Sequence, residues 1–170
     1  MKSRGWASVG LALLLVVSGV EAAPPGATDG ELTALFVRYY SALKKERWDE
    51  AFGLLHERLK QSLQVQNPHD LAVRNYGAQH DLIQAFKDFD HIEVVKAEVD
   101  LTSIKGTVTA SGDGNVAGKL VYDLIVFRAG PGRPLMYRVI MDVGLEKDRI
   151  IRLTQASMAR IDPGSRGDVM

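Results

Sequence analysis

Residues 135–143 read Leu135-Met-Tyr-Arg-Val-Ile-Met-Asp-Val143, and they alternate without a break. Leu135, Tyr137, Val139, Met141 and Val143 share one face; Met136, Arg138, Ile140 and Asp142 occupy the other. Successive strand side chains point to opposite sides of a sheet, so this pattern predicts a strand whose first face is core. Upstream, Arg128 to Pro134 contains two glycines and two prolines and reads as a loop, and Val116 to Phe127 before it reads as a second long strand. The simplest arrangement of two such neighbours is adjacent and antiparallel.

Further upstream, period two begins at His91. Val95, Ala97 and Val99 fall on one face of a strand, and Ile104, Val108 and Ala110 on one face of the next. Ser111 to Asn115 then reads as a hairpin turn, with Gly112 and Gly114 free to take positive φ. Downstream, Arg149 to Thr154 predicts a last strand, followed by a tail from Ser157 to Met170 whose Pro, Gly, Ser and charged residues predict disorder. The total is about five strands.

Before His91 the apolar period is helical. Thr28 or Asp29 can cap a helix carrying Leu32, Leu35, Phe36, Tyr39, Tyr40 and Leu43 at spacings of three and four. After a polar break at Lys44 to Arg47, Trp48, Ala51, Phe52, Leu55, Leu59 and Leu63 predict a second helix that ends before Asn67 and Pro68. Pro68 and Gly77 act as breakers in residues 67–90, which read as a loop and then a short helix around Leu82, Ile83, Ala85, Phe86 and Phe89.

The first residues have another character. Lys2 and Arg4 precede an apolar run from Val9 to Val17, and Ser18, Gly19, Ala22 and Ala23 follow. This is the layout of a signal peptide, expected over residues 1–22 with cleavage after Ala22. A spanning helix needs about 20 consecutive apolar residues; this run is interrupted at Gly10, so stable membrane insertion is not expected. Residues 23–29 read as a leader, 30–156 as one α+β domain and 157–170 as the tail. The chain has no cysteine and no Asn-x-Ser/Thr acceptor, which excludes disulfides and thiolate chemistry and suits a periplasmic or secreted protein. Cleavage takes Lys2, Arg4 and Glu21 from 21 basic and 21 acidic residues and leaves a net charge of −1. With basic residues scattered, nucleic acid is not an expected partner.

Helices followed by strands predict helices packed on a curved antiparallel sheet. The segment Phe36-Val-Arg-Tyr-Tyr-Ser-Ala-Leu-Lys-Lys-Glu-Arg-Trp-Asp-Glu-Ala-Phe-Gly-Leu-Leu55 resembles the opening helix pair of the nuclear transport factor 2-like superfamily, a cone-shaped α+β fold. The closing strands Tyr137-Arg-Val-Ile-Met-Asp-Val143 and Ile150-Ile-Arg-Leu153 also resemble it, and the likeness covers about residues 30–156. It implies a cavity inside the cone, used by relatives for catalysis, for binding or simply as core, and makes a dimer through the sheet plausible. Fold alone does not choose among these.

Residues able to move protons or hold a ligand are few. His69, Asp70, His80 and Asp81 gather with Tyr76 within thirteen residues of an expected loop, and these four are the catalytic candidates. Against this, Asp70 and Asp81 also suit helix starts, and the histidines suit solvent. His56 reads as a partly exposed helix residue. Tyr39, Tyr122 and Tyr137 lie on expected inner faces and are the ligand-binding candidates. Asp123 and Arg138 read either as polar pocket residues or as an outward cross-strand pair. No His-Glu-x-x-His, Gly-rich phosphate loop or Gly-x-Ser-x-Gly elbow occurs, so neither metal nor cofactor is expected. The leading expectation is a non-catalytic exported module that binds a small apolar ligand or a protein. The alternative is a small acid–base enzyme with its site in the cone. The second sheet face, with Val121, Ile125, Phe127, Met136 and Ile140, is apolar enough to suggest a homodimer unless helices cover it.

Overall fold

The computed structural model describes residues 27–112 and 114–161. Four helices precede five strands: α1 Asp29–Lys44, α2 Trp48–Gly53, α3 Glu57–Leu63, α4 Pro68–Phe89, β1 Val94–Val99, β2 Lys105–Gly112, β3 Asn115–Arg128, β4 Leu135–Glu146 and β5 Arg149–Ile161. The fold is the expected α+β arrangement, with helices on one face of an open antiparallel sheet. The expected signal peptide, the leader up to residue 26 and residues 162–170 of the expected tail lie outside the described residues.

β3 is the hub of the sheet. β4 pairs along one side of it and β5 pairs with β4. On the other side β1 and β2 lie end to end: Val99 faces Leu124, and Lys105 faces Val121. The sheet is therefore not a plain meander, since β1 and β2 share one edge of β3. The break between them is closed by hydrogen bonds. Asp100 N–H donates to the Asp123 carbonyl at 2.9 Å, and Asp123 N–H donates to Ser103 Oγ at 2.7 Å.

The long strands β3 and β4 alternate as the sequence predicts. Leu120, Tyr122, Leu124 and Val126 face the helices together with Leu135, Tyr137, Val139 and Val143. The other strands carry bulges, which add a residue to one strand and turn the following side chains over. One between Val94 and Lys96 leaves Val95 67 % exposed and gives its expected inner place to Val94. Another between Val108 and Ala110 takes Ala110 off the inner face. β5 continues to Ile161, with Ser157 opposite Ile140 and Met158 opposite Val139, so residues 157–161 are strand where a disordered tail is expected.

α1 starts with a reciprocal cap: Thr28 Oγ1 accepts from Glu31 N–H, and the Glu31 carboxylate accepts from Thr28 N–H. Its first turns then seal the β2 edge. Thr33 Oγ1 accepts from Gly106 N–H and Asp29 Oδ1 from Val108 N–H, both at 2.7 Å. Leu32, fully buried, sits so close to the sheet that a Cβ on Gly106 or Gly118 would meet it within 3 Å.

Two helical expectations need correction. The expected second helix is broken into α2 and α3 because β5 competes for its backbone: Ile150 N–H donates to the Leu54 carbonyl and His56 N–H to the Ile150 carbonyl, both at 2.9 Å. His56 then caps α3, its Nδ1 accepting from Arg58 N–H. Residues 67–90 are not a loop with a short helix but one helix of 22 residues. Pro68 begins it, where a missing N–H costs nothing, and Asn67 Oδ1 caps it by accepting from Asp70 N–H at 2.9 Å.

Candidate functional site

Where the C-terminal end of α1, the middle of α4 and the edge strand β1 meet, they enclose a cavity of about 400 Å³. Its floor is apolar: Tyr40 and Leu43 from α1, Ala97 and Val99 from β1, Leu101, and Leu124 from β3. Val99 and Leu124 are register partners on the inner face, so the sheet itself forms part of the floor. Trp48 and Tyr76 form an aromatic wall, their rings 5.6 Å apart and nearly edge to face.

The rim is polar. Lys96 and Glu98 come from the outer side of the edge strand, and Lys44 ends α1. Glu98 Oε2 receives both ammonium groups, Lys96 Nζ at 2.8 Å and Lys44 Nζ at 3.6 Å. The Lys96 hydrogen bond, foremost, holds the Glu98 carboxyl below the usual glutamate range, with the Lys44 charge adding to it. Glu46 accepts from the Tyr76 hydroxyl at 2.9 Å, and that hydrogen bond raises the Tyr76 phenol. From Tyr40 in the floor a chain of rings continues to Tyr39 and to Tyr122, each 5.4 Å from it. Burial pushes Tyr39 up to about 12 and Tyr40 well above its ordinary value, the latter also raised by the Tyr122 and Tyr39 phenols.

The four catalytic candidates lie apart from this floor, although Tyr76, which the sequence places among them, forms part of the cavity wall. His69, His80 and Asp81 are exposed on α4, and His69 and His80, eleven residues apart, are separated by roughly 16 Å at 1.5 Å rise per residue. Asp70 sits in the first turn of α4, where its carboxylate accepts from Gln66 N–H at 2.9 Å, which is the helix-start role. Among the described residues no three His, Asp or Glu side chains gather as a metal site needs. Of the ligand-binding candidates, Tyr39 and Tyr122 adjoin the cavity through Tyr40, whereas Tyr137 packs on Phe86, ring centroids 4.9 Å apart, away from it. Asp123 and Arg138 face outward as a cross-strand pair, Arg138 Nε to Asp123 Oδ1 3.0 Å.

Sequence reasoning reached Tyr40, Trp48 and Leu43 as helix core but not as a cavity lining, and it missed the Lys44, Lys96 and Glu98 cluster. Lys96-Ala-Glu98 does carry a local signal, because alternate strand residues share a face and these two sit opposite Ala97 and Val99. A second hollow, wider and more open, lies by the β2–β3 hairpin between Arg58 and Arg152. Comparison with protein-family models, curated proteins and solved structures gave no match, so the cavity and its chemistry stand on this chain alone.

Proposed function

We propose that this chain is a non-catalytic binding module, exported and of the nuclear transport factor 2-like type, that takes a small, largely apolar molecule into the cavity between α1, α4 and β1. The observation that carries the proposal is an apolar floor under a polar rim, at a volume within the ordinary range for ligand sites, about 300–1,000 Å³. His69, His80 and Asp81, exposed on one helix, and Asp70, engaged at its start, favour binding over acid–base turnover. The test is binding of a neutral apolar fluorophore, N-phenyl-1-naphthylamine. The full chain should brighten it, and Ala97→Phe, which fills the floor, should weaken binding about tenfold, the loss of roughly 1.4 kcal/mol. Equal binding by both chains, or by neither, would remove the cavity from the proposal.

The outer sheet face supports a second reading, association with another copy. α1 and α4 pack on the opposite face through Leu32 and Phe86, and Val121, Ile125, Phe127, Met136 and Ile140 remain partly exposed on this one. Sedimentation of the full chain should show a concentration-dependent dimer, and Ile125→Glu with Ile140→Glu should leave only monomer. A wild-type chain that stays monomeric at every concentration would dispose of this interface.

A further inference from the structure

The cavity rim gathers both of its lysines at one of its two carboxylates, an arrangement that deepens the binding proposal and rests on it. Lys44 and Lys96 converge on a single carboxylate, and both approach the same oxygen, Oε2 of Glu98. Each ammonium has three donors, so the shared contact leaves donors on both lysines unspent, Lys96 Nζ lying also 5.6 Å from the Phe127 ring centroid, and sets two positive charges against one negative at Glu98, while the rim as a whole balances them with Glu46. Glu46, the other carboxylate of the rim, is engaged by the neutral Tyr76 hydroxyl and makes no ion pair among the described residues. The lysine side chains are 50 % and 60 % exposed, whereas Glu98 is 21 % exposed and fixed between them. The solvent-facing members of the cluster are therefore the cations. Directly inward lie Tyr40, Val99, Leu101 and Leu124, a surface for a hydrocarbon or aryl body.

We propose that the ligand is an apolar monocarboxylate, its chain or ring on that floor and its carboxylate between the ammonium groups of Lys44 and Lys96. Glu98 acts as the internal anion that holds the lysines in place while the site is empty and competes with the ligand for them. A charge-assisted contact in a partly exposed site is screened by water, so the selectivity it gives is modest, about five- to tenfold over an uncharged head.

Three probes of one chain length, octanoate, octanol and octylammonium, titrated calorimetrically into the full chain separate the possibilities. Octanoate should bind about five- to tenfold more tightly than octanol, and octylammonium more weakly than either. Lys44→Met with Lys96→Met should bring octanoate down to the octanol affinity and leave octanol unchanged. Glu98→Gln, which removes the competing carboxylate, should tighten octanoate several-fold, and thermal melts of the variants check that each is folded. Equal affinity for octanoate and octanol, preference for octylammonium, or no gain from Glu98→Gln would overturn the carboxylate assignment and leave the apolar cavity standing. Failure of all three probes to bind would overturn the cavity proposal as well.

Discussion

At Tyr39 the surroundings of one phenol set a limit on the whole core. The side chain is 6 % exposed, and burial lifts its pKa from 10.0 to about 12. Above pH 10 the unfolded chain releases this proton while the folded chain keeps it. The stabilisation is therefore complete below pH 10 and lost as pH rises towards 12, a loss on the order of 2 kcal/mol. Tyr40 and Tyr122 are raised in the same direction, so their contributions fall away on the alkaline side too. Thermal melts from pH 9 to 12 should show Tyr39→Phe losing stability less steeply than the wild-type chain; identical slopes would mean that Tyr39 ionises as freely folded as unfolded. Residue-scale roles were partly visible beforehand. Thr28 was legible as one of two caps, with Asp29, and its reciprocal bond with Glu31 decides between them. That Asp29 and Thr33 would serve the edge of β2 was not, since their acceptors meet N–H groups more than 70 residues away.

The element most at odds with its sequence is α4. Its buried residues cluster at the ends, Leu71 and Ala72 near the start and Phe86 near the finish, while residues 73–81 are largely exposed. Asn75, Tyr76 and Gln79 in that middle stretch rim the cavity, so the helix has no continuous core beneath it and shows no continuous apolar stripe. Gly77 looked like a breaker for the same reason. A Cβ there would meet nothing within 4 Å, and its φ is ordinary. Gly77→Ala should thus stabilise the chain by roughly 0.5–1 kcal/mol through lower unfolded-state freedom and better helix propensity, read as a higher denaturation midpoint. A midpoint unchanged or lowered would show that this glycine serves something other than the helix. The split of the second helix was hidden differently. Leu55 keeps its helical spacing in the sequence, and only β5, a remote partner, pulls the backbone at Leu54 and His56 out of the helix.

Across the molecule, legibility followed position in the sheet. β3 and β4 are central, each is paired on both sides and each has one face under the helices, so their alternation could be read directly. β1, β2 and β5 are edge elements with register shifts, and a shift of one residue reverses which side chains face inward. The cavity was least legible of all, because its floor and rim are assembled from α1, α4, β1 and β3, and no local spacing records that meeting.

The two rims of the sheet also bear on how copies of this chain can meet. Along β2 the outward N–H groups of Gly106 and Val108 are already taken by Thr33 and Asp29. β5 carries Arg149, Arg152 and Arg160 and is bulged against β4. Both devices oppose the addition of a foreign strand, which would otherwise offer its own rim to the next and extend without end. The proposed contact through the outer face would instead use up the surface that makes it, and a two-fold pair would leave nothing further to recruit. Along β2 and β5, rims protected in this way favour a closed assembly over a growing fibre.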